Sequence, residues 1–238
     1  MAKEFTSEFP HTSKLNSEQL MAHNIVTNHL HALVAGRKSK QLLMMVMGHG
    51  GMGKSMMLNT IMETFGMTGN SDLLKKTALS GLMASLIGGT TLHWFAGLPA
   101  QKVAQSDIWP DNSSKTVKDR RAQNLWLTQY LAIDEAGMCT LDLLTLSQVA
   151  GKARSKAGPS NSTEPFGRMN IVLIGDSYQF PPVGNMNATL YCVPHNRNTV
   201  IIGKAIYAQF ETDVKVKKQW RMDNTIWINL LETLREAS

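Results

Sequence analysis

Two cysteines in a chain of 238 residues, Cys139 and Cys192, cannot staple a secreted scaffold, and they suit a reducing compartment. They read as packing residues, because no Cys/His cluster with zinc spacing accompanies them. An apolar signal segment is also missing: the N-terminus MAKEFTSEFP is polar, so the Asn-x-Ser/Thr sites at Asn112, Asn161 and Asn187 read as accidental. The apolar runs are too short to cross a bilayer, no membrane partner is expected, and no internal repeat is evident. The length suits one α/β domain with a small insert.

What the chain has in excess is positive charge, a formal +6. It comes in groups at Lys118–Arg121, Lys152–Lys156 and Lys215–Lys218, a distribution that suits a polyanion and salt-dependent binding, although any one group also reads as a solvated surface. The fifteen methionines read as adaptable core filling.

The string GHGGMGKS, Gly48 to Ser55, fits the phosphate-binding pattern G-x-x-x-x-G-K-[ST]. The apolar run Gln41–Met47 before it reads as a buried parallel strand, and Met56–Phe65 after it as a helix. In that context Gly48, Gly50, Gly51 and Gly53 let backbone N–H groups curl around a triphosphate at a helix N-terminus, with Met56 in the first turn. Lys54 supplies a charge toward the β- and γ-phosphates, and Ser55 a hydroxyl for magnesium. The chemistry implies a nucleoside triphosphate with Mg2+.

The run Gln129–Met138 reads as an apolar strand ending in Asp-Glu, placed at the tip of the strand beside the phosphate loop. There Asp134 holds magnesium through water and Glu135 orients and deprotonates the attacking water. No guanine-selecting N-K-x-D string is present; Thr116-VKD-Asp119 does not match it. A third strand, Asn170–Asp176, runs into Ser177–Val183, putting Asp176 at the carboxyl edge of a parallel sheet and Gln179 where it senses the γ-phosphate. Pro181 and Pro182 stiffen the exit.

Taken in order and spacing, GHGGMGKS, AIDEAGM and IGDSYQFPPV resemble the superfamily-one DNA helicases of the Pif-one and RecD-like group, including the helicase part of Helitron transposons. The stretch Ser80–Pro99 is similar to that family's DNA-contacting motif, "T-G-x-A-A, then I-G-G-x-T-x-H". Glu164–Asn170 is similar to the "PFGG" approach to the third motif. Leu15–Gln19 resembles the adenine-reading motif, and Lys218–Arg221 the fourth motif, so the resemblance spans about residues 14–238.

The resemblance implies an α/β fold of the RecA-like P-loop NTPase kind, a mostly parallel central sheet flanked by helices. It implies an ATP-dependent helicase motor that moves on single-stranded DNA and opens duplex junctions, with Gln19 at the adenine and Arg221 at the γ-phosphate. Ser80, Gly81, Thr91, His93 and Trp94 are its DNA-binding residues, with Phe95 behind them and a structural role the alternative for His93. It further implies an intracellular, monomeric protein of the nucleus or mitochondrion. The later family motifs fall beyond Ser238, so residues 1–238 are expected to form the first RecA-like domain, with the second required in cis. A non-motor module that binds ATP and DNA is the alternative.

Departures are few. Ser80 stands where the family has threonine, and Ala136-Gly137 where it has an apolar residue and serine. Residues 97–124 read as a small insert near the strand-separating region. Trp109 and Trp126 are assigned to core packing first and base stacking second. Ser17 is read as the N-cap of a helix to Leu33, Thr140 as the cap of a helix Leu141–Lys156, and Ala157–Pro165 as an exposed loop.

Overall fold

The computed structural model describes residues 12–98, 113–136, 141–155, 164–176, 205–220 and 233. Cys139, Cys192, Trp109, Gly137, Thr140, Gln179, Pro181, Pro182, Arg221, the helix-like segment 223–235 except Thr233, and most of the 157–165 loop lie outside the described residues.

Six strands, β1 (Leu43–Met47), β2 (Leu74–Ala78), β3 (Thr90–Thr91), β4 (Tyr130–Asp134), β5 (Asn170–Gly175) and β6 (Thr212–Lys215), form one sheet. The order is β3-β2-β4-β5-β1-β6, and every pairing is parallel. Parallel strands need crossovers that cover both faces, so the central strands are buried on both sides and read as unbroken apolar runs. All five residues of β4 and all six of β5 are buried.

Alternate side chains feed two cores. Leu131, Ile133, Ile171 and Leu173 point into one, against α4 (Leu92–Ala96), α5 (Lys115–Leu127) and α6 (Leu141–Arg154). Ala132, Val172, Ile174, Met44 and Val46 point into the other, against α1 (Ser17–Val34) and α2 (Lys54–Met67). A short helix, α3 (Gly81–Leu86), follows β2. With helices on both faces of a parallel sheet, the predicted α/β architecture is the observed one.

The cap of α1 is Asn16, not Ser17. The Asn16 side chain accepts from the Gln19 amide at 2.8 Å, and the Gln19 side chain accepts from the Asn16 amide at 3.0 Å. This reciprocal box closes only when Gln19 is the third helical residue, which makes Asn16 the cap and Ser17 the first residue. The methionines divide: Met44, Met52, Met57 and Met169 fill the core, while Met21 and Met67 are exposed.

Two of the basic groups lose members to the interior. Arg121 and Arg154 are each only 6% exposed. Arg154 donates to the carbonyls of Gly167, Leu125 and Thr128, and Arg121 to those of Ala96 and Gly97. They are structural donors holding chain ends, while Lys118 and Lys152 remain at the surface-lining positions. Trp126, expected first in the core, is 45% exposed at the far end of α5.

Candidate nucleotide and DNA site

Every chemistry-bearing residue within the described part lies at the carboxyl ends of the strands, as open parallel sheets place their ligands. Gly48 follows β1. A Cβ there would come within 2.7 Å of the Val216 carbonyl, so only glycine lets the chain leaving β1 pass the chain leaving β6. Gly51 and Gly53 adopt positive φ, 85° and 74°, which turns the loop back into the N-terminus of α2. That terminus has no side-chain cap, so its first amides are available to an anion.

Lys54 is half-buried and folds over the loop, donating to the carbonyls of Gly48 at 2.6 Å and His49 at 2.9 Å. Ser55 is exposed and Met56 half-buried beside it. Gln19 reaches the loop from α1 and donates to the Met52 carbonyl at 2.9 Å. The adenine-motif residue and the phosphate loop are thus one connected unit.

The strands beside β1 are β5 and β6, not β4 as the sequence suggested, because β5 inserts between β4 and β1. Local patterns reveal a strand but not its neighbours. The strand-end acid that contacts the loop is therefore Asp176, whose carboxylate accepts from the Gly50 amide at 3.2 Å and faces His49 Nδ1 at 3.4 Å. Asp134 and Glu135 stand one strand further away.

Asp134 is 5% exposed. Burial raises its pKa, opposed by the Glu135 amide, which donates to it at 2.9 Å, and by the Lys54 charge. Glu135 is also raised, first by burial, then by the Asp134 charge and more weakly by Asp176, with Lys54 opposing. Its φ of 61° is costly for a residue with a side chain, a local strain typical of functional positions. Lys54, Asp134, Glu135 and Asp176 form one electrostatic cluster, and its hard oxygen donors together with the Ser55 hydroxyl fit a magnesium–triphosphate group.

Two residues of the site were not singled out from the sequence. The Trp220 amide donates to the Gly51 carbonyl at 3.0 Å, and Gln219 Nε2 donates to the Gly50 carbonyl at 3.1 Å. The Trp220 ring edge lies beside Gly53, with the Lys218 ammonium 4.4 Å above its centre. The signal was within the string KQWR, where the tryptophan precedes the singled-out Arg221.

The expected DNA residues cluster on the other half of the edge, past β2 and β3. Ser80 caps α3, its hydroxyl accepting from the Met83 amide at 3.2 Å, and Gly81 has open space where a Cβ would be. Thr91 caps α4, accepting from the Trp94 amide at 3.2 Å. His93 is half-buried, Trp94 is 50% exposed, and Phe95 is in the core. The edge thus carries nucleotide-type residues at β5, β1 and β6, DNA-type residues at β2 and β3, and the Asp134–Glu135 pair between them on β4.

A sequence profile described as PIF1-like helicase matches residues 14–226. The chain belongs to the PIF1-like helicase family. The human ATP-dependent DNA helicase PIF1 is 29% identical over 191 residues, covering 79% of this chain and 26% of that protein. The Saccharomyces cerevisiae ATP-dependent DNA helicase RRM3 is 29% identical over 197 residues, covering 79% of the chain and 24% of its own length. This PIF1-like chain therefore spans about a quarter of those curated relatives.

Among solved structures, Candida albicans Pif1 helicase superposes with a TM-score of 0.67 at 24% identity, covering 93% of this chain and 44% of the other. Bacteroides Pif1 bound to ssDNA gives 0.63 at 23% identity, covering 93% and 46%. The fold is shared with RecA-like Pif1 domains. No described helix is long and apolar enough to cross a membrane.

Proposed function

We propose that this chain is the first RecA-like motor domain of an ATP-dependent DNA helicase, which couples ATP hydrolysis to movement along single-stranded DNA and to duplex opening. The observation that carries this reading is the division of one sheet edge. Lys54, Glu135 and Asp176 gather on its nucleotide side, Thr91 and Trp94 on the other, with β4 in common.

In this reading Lys54 exchanges the Gly48 and His49 carbonyls for the β- and γ-phosphates, while the amides at the start of α2 cradle the same charge. Ser55 and Asp134 hold the magnesium ion, which supplies charge neutralisation to the phosphates. Glu135 accepts the proton of the attacking water, a role that its raised pKa favours. Gln19 and Trp220 border the adenine position, Gln179 senses the γ-phosphate, and Arg221 contacts it.

Ser80, Gly81, Thr91, His93 and Trp94 contact the single strand, residues 97–124 stand near the duplex junction, and a second RecA-like domain in cis closes the cleft. The active unit is monomeric and works where cellular DNA is, in the nucleus or mitochondrion. The test is a pair of variants: Lys54→Ala loses Mg-ATP binding, and Glu135→Gln keeps binding but loses hydrolysis. Fusion to a second RecA-like domain should raise DNA-stimulated turnover by roughly 10³-fold or more, the scale of an arginine supplied across a cleft. Wild-type hydrolysis by Glu135→Gln removes the catalytic assignment. DNA-independent turnover in the fused protein favours the non-motor alternative.

A further inference from the structure

Arg120 lies over Trp94, its guanidinium carbon 4.6 Å from the centre of the indole ring. Its Nε is buried and has no hydrogen-bond partner. The next residue behaves oppositely: Arg121 donates to the Ala96 carbonyl at 3.0 Å, the Gly97 carbonyl at 3.0 Å and the Ser113 hydroxyl at 2.9 Å. Arg121 thus fixes α5 to α4, and the half-buried Arg120 beside it stacks on Trp94. No hydrogen bond among the described residues ties the other Arg120 guanidinium N–H groups either, so the stacked plane keeps donors for an acceptor from outside.

We propose that Arg120 and Trp94 form one composite contact for single-stranded DNA, in which the guanidinium grips a backbone phosphate and the aromatic surface left exposed stacks a base. The proposal rests on the DNA-binding reading above and adds to it a residue outside the expected DNA motif.

A guanidinium suits this place better than an ammonium. It is planar, weakly hydrated and permanently charged, so it stacks on indole and still directs N–H groups outward to a phosphate. Stacking has already ordered the long side chain, so less freedom is lost when the phosphate arrives. The surroundings favour an anion in the form of a nucleic-acid backbone: Lys115 and Lys118 are exposed on the same helix with one acid, Asp119, while Thr91 and His93 adjoin Trp94 on α4. Trp94 keeps half its surface exposed, and the Thr91 hydroxyl accepts from its backbone amide, so its place on the capped first turn of α4 is set before any strand binds.

The experiment is fluorescence anisotropy of labelled oligothymidylate with the full chain over a range of salt. Arg120→Gln should weaken binding about tenfold at low salt and lower the slope of log affinity against log salt by about 0.7, the amount for one phosphate contact on a single strand. Arg120→Lys should keep the slope and lose part of the affinity, because charge persists without the stacking plane. Trp94→Ala should reproduce the affinity loss through the other partner, so the question stays answerable if one variant fails to fold. Wild-type affinity and slope in Arg120→Gln, with binding weakened in Thr91→Ala, would overturn the composite contact and leave the DNA reading standing. Salt-insensitive binding by the wild type would overturn both.

Discussion

Gln19 occupies the space beside Gly53 that a side chain would fill, and from there donates to the Met52 carbonyl at 2.9 Å. A Cβ at Gly53 would collide with the Gln19 amide nitrogen, and the backbone there has φ 74°. Helix α1 and the glycine-rich loop therefore meet at a loop residue that cannot carry a side chain.

Gly53→Ala is expected to lose Mg-ATP binding through both the clash and the left-handed conformation, the latter alone costing about 1–2 kcal/mol. The sheet lies outside the conflict, so circular dichroism should remain native. Titration with a fluorescent ATP analogue checks it, and wild-type affinity would show that the loop can reshape around Gln19.

Hydrolysis should fall on the acid side as Glu135 gains a proton and can no longer accept one from water. Because burial and the Asp134 and Asp176 charges raise its pKa, that limb should sit above the ordinary glutamate range. Asp176→Asn removes one raising charge yet keeps an oxygen for the Gly50 amide, so the limb should move to lower pH. A pH–rate profile of the fused two-domain protein measures the shift; movement upward would contradict the electrostatic assignment.

The strands β1, β4 and β5 were legible because each is built on an apolar run that gives way to glycine or aspartate, the pattern of a strand buried on both faces. β2 and β6 were not, since Lys75 and Lys76 interrupt the first and only Val214 of the second is buried. The placement of Lys54 and Ser55 at the start of α2 and of Asp134 and Glu135 at the end of β4 was legible because each pair stands in a short string of adjacent residues. The placement of Asp176 against Gly50, of Trp220 against the loop, and of Arg120 over Trp94 depends on which elements become neighbours, and local periodicity does not encode that order. The same limit explains the buried Arg121 and Arg154, which a charge count reads as surface.

His23 links α1 to α2 through a 2.8 Å hydrogen bond between its Nε2 and the Thr64 hydroxyl, and it is almost fully buried. Burial lowers its pKa, partly opposed by the Asn24 side chain. The unfolded chain takes up this proton near pH 6.5 while the folded chain resists it, so the contribution to stability is present above about pH 6.5 and is lost as pH falls through the lower folded value. Urea unfolding of the wild type should weaken between pH 7 and 5 more than that of His23→Gln, by roughly 1 kcal/mol. Equal pH slopes would remove His23 as the cause.

Arg121 and Asn124 together cap the end of α4, taking the carbonyls of Ala96, Gly97 and Phe95. Gly97 ends the helix at φ 57°, with Val117 Cγ1 placed 2.9 Å from where a Cβ would stand. The helix that Thr91 caps and that bears His93 and Trp94 is only five residues long and too short to hold its own geometry, so its position derives from α5. Arg121→Ala should cost about 3 kcal/mol, since buried carbonyls lose a charged donor, and Gly97→Ala about 2 kcal/mol. Both should weaken single-strand binding while leaving Mg-ATP binding near wild type, because Lys54 and the loop lie three strands away from β2, across β4 and β5. Chemical denaturation with paired anisotropy titrations for ATP and oligothymidylate checks the split. Parallel loss of both ligands would mean that the clamp supports the whole domain and not the DNA half of the edge.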